Sequence, residues 1–143
     1  MPAMVGIALA LAVCVFARVV GFDRDRAFYP AVLIVTASYY VLFAVIGGSP
    51  GALTREMLIM GVFVAAAVAG FRRTLWVVVA ALAGHAVLDA VHGQAIVSAG
   101  APAWWPVFCL TFDVTVAAGL AWLVSGSRPR VRPSSRASGA GGV

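Results

Sequence analysis

The 143-residue chain is 63% hydrophobic and only 10% charged, with a formal net charge of +5 and a mean hydropathy of +1.03. A water-soluble domain of ordinary composition carries about 25% charged residues and cannot hide this much apolar surface, so the composition excludes that class and points to one all-α, multi-pass transmembrane bundle. The basic residues are all arginine; gathered, Arg55 apart, in a tail and in or beside two short loops, they mark a topology signal and exclude a nucleic-acid-binding face.

Five apolar segments follow one another, each near the roughly 20 residues that cross a hydrocarbon core. They are about Ala3 to Val20, Pro30 to Gly47, Ala52 to Phe71, Thr74 to Ala99 and Ala103 to Val124. The first lacks a basic leader and runs straight into Arg18 without a cleavage motif, so it reads as a retained helix. Between the first two helices, Asp23, Arg24, Asp25 and Arg26 form a charged cluster, read as a solvated, self-paired loop, with anionic-lipid contact as the alternative. Gly47-Gly48-Ser49-Pro50-Gly51 and Gly100-Ala101-Pro102 break the chain before the third and fifth helices. Thr54 is placed to cap the core of the third helix and Thr74 the fourth. After Val124 the chain turns to Ser, Gly, Pro and Arg, so residues 125–143 are expected to be a disordered basic tail.

Five spans put Arg18, Arg24, Arg26, Arg72, Arg73 and the tail arginines on one side, leaving only Arg55 on the other. The positive-inside rule then gives an N-out, C-in protein of the bacterial inner membrane, with a cytoplasmic C-terminus. Trp104 and Trp105 mark the outer interface, Trp76 and Trp122 the inner one. Gly6 and Ala10, then Gly61, Ala65 and Ala69, then Ala117 and Ala121 each make a small-residue seam of the kind that lets helices approach closely.

The polar residues inside these spans carry the functional signal. His85, Asp89 and His92, at spacings of four and three, share one face of the fourth helix. Ionisable groups in a bilayer are costly and tend to pair or to line a polar pathway. Asp113 falls at similar depth on the fifth helix, with Cys109 one turn outward on the same face. Tyr39 and Tyr40 lie at comparable depth in the second helix, and Glu56 enters from the outer end of the third. These groups are expected to converge on one polar cavity open to the outer face. Cys109, Tyr39 and Tyr40 are read first as packing side chains and only then as contributors; Cys14, also in an apolar segment, is read as packing.

His85 and His92 are displaced by roughly 10 Å along the helix axis, too far to chelate one ion together. A metal here needs one of His85 and His92, with Asp89 and ligands from other helices such as Glu56 or Asp113. Zinc, iron and manganese accept such N and O donors. A vertical His–Asp–His column equally suits stepwise proton movement. The plain alternative is that these groups only hydrogen-bond helices together.

The stretch Gly84-His85-Ala86-Val87-Leu88-Asp89-Ala90-Val91-His92-Gly93, then Pro102-Ala103-Trp104-Trp105-Pro106-Val107-Phe108-Cys109 and Asp113-Val114, resembles a family of small bacterial multi-pass membrane proteins. The match spans roughly residues 84 to 114. It implies a compact helical membrane protein with a His/Asp-bearing helix followed by a Trp-Trp-Pro lead into the next, and it implies no activity.

Neither a Gly-rich phosphate loop nor a GxSxG elbow is present, and Ser38 has no motif to partner it for serine hydrolysis. Two His on one helix do not suit a membrane haem, and histidine-box oxygenases need many more. Three readings remain. The first is an intramembrane polar site that binds or moves a proton, a metal ion or a small polar ligand. The second is a membrane-embedded enzyme, metal-dependent or using a His–Asp pair, acting on a lipid-like substrate. The third is a structural or accessory subunit without chemistry of its own. The lipid bilayer is the expected partner, transport at this size implies a homo-oligomer, and the Arg-rich tail suits contact with anionic lipid.

Overall fold

The computed structural model describes residues 1–94 and 100–126. Its five α-helices are α1 (Pro2–Val20), α2 (Phe28–Ile46), α3 (Pro50–Arg72), α4 (Trp76–Gln94) and α5 (Trp105–Gly126), with a 3-10 turn at Phe22–Arg24. Four of them, α1, α2, α3 and α5, are long and apolar enough to cross a membrane. The apolar stretch of α4, Trp76–His92, is shorter; residues 95–99 of the expected fourth span, and the tail beyond Gly126, lie outside the described residues.

Helix limits follow local chemistry. Pro2, Pro30, Pro50 and Pro106 all fall in first turns, where a missing N–H leaves no helical bond unmade. Gly21 ends α1 at φ 89°, donating its N–H to Ala17 O, a left-handed geometry that favours glycine. The third helix begins before the expected Thr54. Ser49 is its cap, its hydroxyl accepting the Ala52 N–H, while Thr54 sits inside the helix and donates back to Pro50 O. Arg55 and Glu56 therefore do not delay the helix, because Pro50 is pre-set for a first turn. Thr74 does accept the Trp76 N–H at the start of α4. At the far end α5 continues to Gly126, two residues past the expected limit.

The charged loop after α1 is not self-paired. Arg18 reaches forward to Asp23 at 2.9 Å, Asp25 accepts the Ala27 N–H, and Arg26 donates to Gly70 O and Arg73 O at the end of α3. Arg26 thereby satisfies carbonyls that a helix C-terminus leaves open.

In the bundle α5 packs between α1 and α4, α2 packs along α3, and α3 also meets α4. Ala10, Leu33, Leu82, Val116 and Leu120 are fully buried at the centre, whereas Met4, Leu58, Val62, Val87 and Trp122 are exposed. An apolar exterior of this extent belongs in lipid. The α1–α5 contact is a small-residue seam: a Cβ on Gly6 would lie 2.3 Å from Thr111 Oγ1 and 2.5 Å from Phe108 O. The seam expected at Gly61, Ala65 and Ala69 is not used at Gly61, where a Cβ would meet nothing. The close approach of α3 to α4 falls instead at Gly70 against Val78. Among the described residues the backbone of α1 lies close only to α5 and the 3-10 turn. Between α1 and α2, over α5, this leaves a groove of about 920 Å³.

Candidate metal centre

His85, at mid-length of α4, is buried and fixes the centre. Its Nδ1 lies 2.6 Å from Asp113 Oδ2 on α5 and 3.5 Å from Asp89 Oδ2, one turn on along its own helix. The four-residue spacing of His85 and Asp89 places both on the α4 face that meets α5 and α2. Asp113 reaches the same point because α5 runs antiparallel beside α4, and Cys109 follows one turn away on the same α5 face. One donor atom from each of His85, Asp89, Cys109 and Asp113 lies within 4.8 Å of every other, and all four residues are buried.

Helix α2 completes the shell. Tyr40 donates its hydroxyl to Asp89 Oδ1 at 2.7 Å, and its ring lies over His92 at 4.4 Å. Thr36, one turn earlier, lies beside Asp113 and spends its hydroxyl proton on Leu33 O. From α3, the Phe63 ring meets His85 edge-on at 4.9 Å. Asp89 and Asp113 are both 0% exposed, yet Asp89 Oδ2 has no close hydrogen bond beyond its 3.5 Å ion-pair contact with His85, and Asp113 Oδ1 has none among the described residues. Buried carboxylate oxygens without a partner are strongly disfavoured. Two of them facing a thiol and an imidazole are what a cation would satisfy.

A tetrahedral zinc with bonds of about 2.0–2.3 Å separates its ligands by about 3.3–3.8 Å. Donors no more than 4.8 Å apart can close on one ion by side-chain adjustment, with the 2.6 Å His85–Asp113 hydrogen bond opening or another atom of either residue serving as ligand. The mixed N, O and S donor set suits zinc or iron, and a thiolate donor counts against manganese.

His92 is outside this group. It turns to α3, its Nε2 lying 3.3 Å from Glu56 Oε1, with Nδ1 donating to Leu88 O. Glu56 is itself buried and accepts from Arg55 Nε and a terminal guanidinium nitrogen. A polar series thus runs from half-exposed Arg55 through Glu56, His92, Tyr40 and Asp89 to His85 and Asp113. The convergence on one polar cavity expected from depth takes a different form here, a closed contact network. Tyr39 faces away from it, stacking near Trp105 at 4.9 Å and lining the groove between α1 and α2. Neighbouring residues on a helix point about 100° apart, so only one of the two tyrosines can face the centre. Cys14 and Cys109 are both free thiols.

The groove and the centre touch. Thr36 and Cys109 belong to both, forming the polar floor of a cleft otherwise walled by side chains such as Val5, Leu9, Val32 and Phe112, with Tyr39 and Trp104 at one end. Comparison of the chain with protein families, with characterised proteins and with solved structures finds no match.

Proposed function

We propose that this is a multi-pass protein of the bacterial inner membrane, C-terminus in the cytoplasm, that holds one zinc or iron ion inside the bilayer through His85, Asp89, Cys109 and Asp113. The observation that carries this reading is the pair of fully buried carboxylates, each with an oxygen lacking a close hydrogen bond, set with a buried thiol and imidazole so that one donor atom of each lies within 4.8 Å of the others. A divalent cation neutralises both carboxylates at once, and hydrocarbon makes that compensation more valuable than in water. Tyr40 acts as the outer partner that orients Asp89, the arrangement common to metal-binding carboxylates. The Arg55–Glu56–His92 series gives ions or protons a polar approach from the end of the bundle opposite the arginine-rich loops.

One observation favours a second reading, an enzyme acting on a lipid-like substrate. Cys109 and Thr36 face both the centre and the apolar groove, so a lipid lying in the groove would bring a polar end within reach of the ion. A metal there would supply Lewis acidity or an activated water; Thr36 would orient the substrate, Cys109 would hold the ion at the groove floor, and the walls would exclude bulk water.

Elemental mass spectrometry on the tag-free protein in mild detergent tests the main reading. Near one equivalent of zinc or iron per chain is expected, lost in Asp89→Asn and in Cys109→Ala but retained in His92→Ala. Folded wild-type protein that takes up no metal after incubation with zinc or with ferrous iron refutes it.

A further inference from the structure

The bundle end opposite Trp104 and Trp105 carries a second cavity, of about 500 Å³, that the metal reading does not use. Four arginines line it, Arg18, Arg24, Arg26 and Arg73, with Asp23 as the single acidic residue. Asp23 is already paired with Arg18, and Arg26 is tied to the Gly70 and Arg73 carbonyls. Arg24 and Arg73 have no ion-pair partner among the described residues. The hollow therefore keeps an excess of three positive charges. One side is apolar, formed by Leu75, Leu123 and Val124.

A topology signal needs arginines only somewhere on one side of the membrane. It does not need them to converge from the end of α1, the following turn and the α3–α4 connection around one concavity, nor to have one of them pinned to a helix end. We propose that this cavity binds the phosphate of an anionic phospholipid, held by Arg24 and Arg73, with the glycerol and upper chain against Leu75, Leu123 and Val124. The guanidinium fork matches phosphate oxygens bidentately, and basic pockets between transmembrane helices on the cytoplasmic side suit such headgroups. The apolar wall selects a lipid over free phosphate, because inorganic phosphate would make no use of Leu75 and Val124. Neither the site nor its ligand depends on the metal centre.

Native mass spectrometry of the full, delipidated chain, titrated with phosphatidylglycerol or with phosphatidylcholine of the same chains, tests this. One phosphatidylglycerol per chain is expected to bind at least about tenfold more tightly than phosphatidylcholine. Arg24→Gln with Arg73→Gln should weaken it roughly thirtyfold, at unchanged metal content and thermal midpoint. Neutralising Arg128, Arg130, Arg132 and Arg136 should leave this first lipid in place. Equal affinity for the two lipids, or loss caused by the tail changes and not by the pocket changes, overturns the site. Displacement of the lipid by inorganic phosphate at matched concentration also overturns the lipid assignment, making free phosphate the ligand. If the Gln pair unfolds, Arg24→Lys with Arg73→Lys keeps the charge but not the fork. Weaker phosphatidylglycerol binding then supports the site, and unchanged binding overturns it.

Discussion

Tyr40→Phe removes one oxygen and tests whether the centre is a metal site or merely helix glue. The Tyr40 ring is 2% exposed and packs on His92 and Phe43, so a phenylalanine keeps the packing and forfeits only the 2.7 Å bond to Asp89 Oδ1. If Asp89 is a ligand, losing that outer partner should weaken metal binding about 10- to 100-fold, which is about 1.4–2.7 kcal/mol. At fixed metal well above both dissociation constants, the stabilisation that metal confers should shrink by the same amount. If the bond only joins helices, its loss should cost about 0.6 kcal/mol, as interhelical bonds in membranes do, and should cost it equally with metal or with chelator. Competition against a chromophoric chelator gives the affinity, and denaturation in detergent with and without chelator gives the linkage. A dissociation constant unchanged within threefold, with the stability loss identical in both conditions, would refute Asp89 as a ligand.

Cys109→Ser should lower zinc affinity far more than manganese affinity, because it exchanges a soft donor for a hard one; parallel titrations with both ions read this directly. Metal should be released as pH falls, since protons compete for the carboxylates, imidazole and thiolate, and a pH series of bound zinc after desalting checks it. Gly6→Val should destabilise by about 1–3 kcal/mol through overpacking against Thr111 and the Phe108 carbonyl. Gly61→Ala, where a Cβ meets nothing, should be neutral or slightly stabilising; comparing their thermal midpoints decides. Arg26→Ala should cost about 1 kcal/mol by uncapping α3, seen as faster amide exchange near Gly70 and Arg73.

How much of this was legible beforehand differs from residue to residue. His85 and Asp89 announce themselves by spacing, because a helix repeats every 3.6 residues and an oily segment makes each polar group conspicuous. Asp113 follows from depth alone once α5 is known to return beside α4. Cys109 has no such signature: a thiol in an apolar run looks like packing until a neighbouring helix supplies Asp89 beside it. The choice between Tyr40 and Tyr39 rests on the rotation of α2 about its axis, which hydrophobicity cannot fix when every face is apolar. The same uniformity hides which small-residue seam is used, since alanine is common on all faces, and so Gly6 meets a neighbour while Gly61 meets none. His92 shares the α4 face with His85, yet two further turns carry it past α5 to Glu56 of α3.

The separation of α1 from its neighbours has a consequence in time as well as in shape. Helices α2 and α3 are tied to each other by Arg26 against the carbonyls closing α3, and the end of α2 meets the α4–α5 connection where Gly100 lodges against Phe43 and Gly47. Helix α1 has α5 as its one close helical companion among the described residues, through a seam of small side chains that interlock little. Swinging α1 outward would break its seam with α5 and its side-chain contacts with Tyr29 and Leu33 of α2, and would widen the cleft down to Cys109. If the centre exchanges its ion through the groove, a tether from α1 to α2 should slow that exchange while leaving the equilibrium occupancy unchanged.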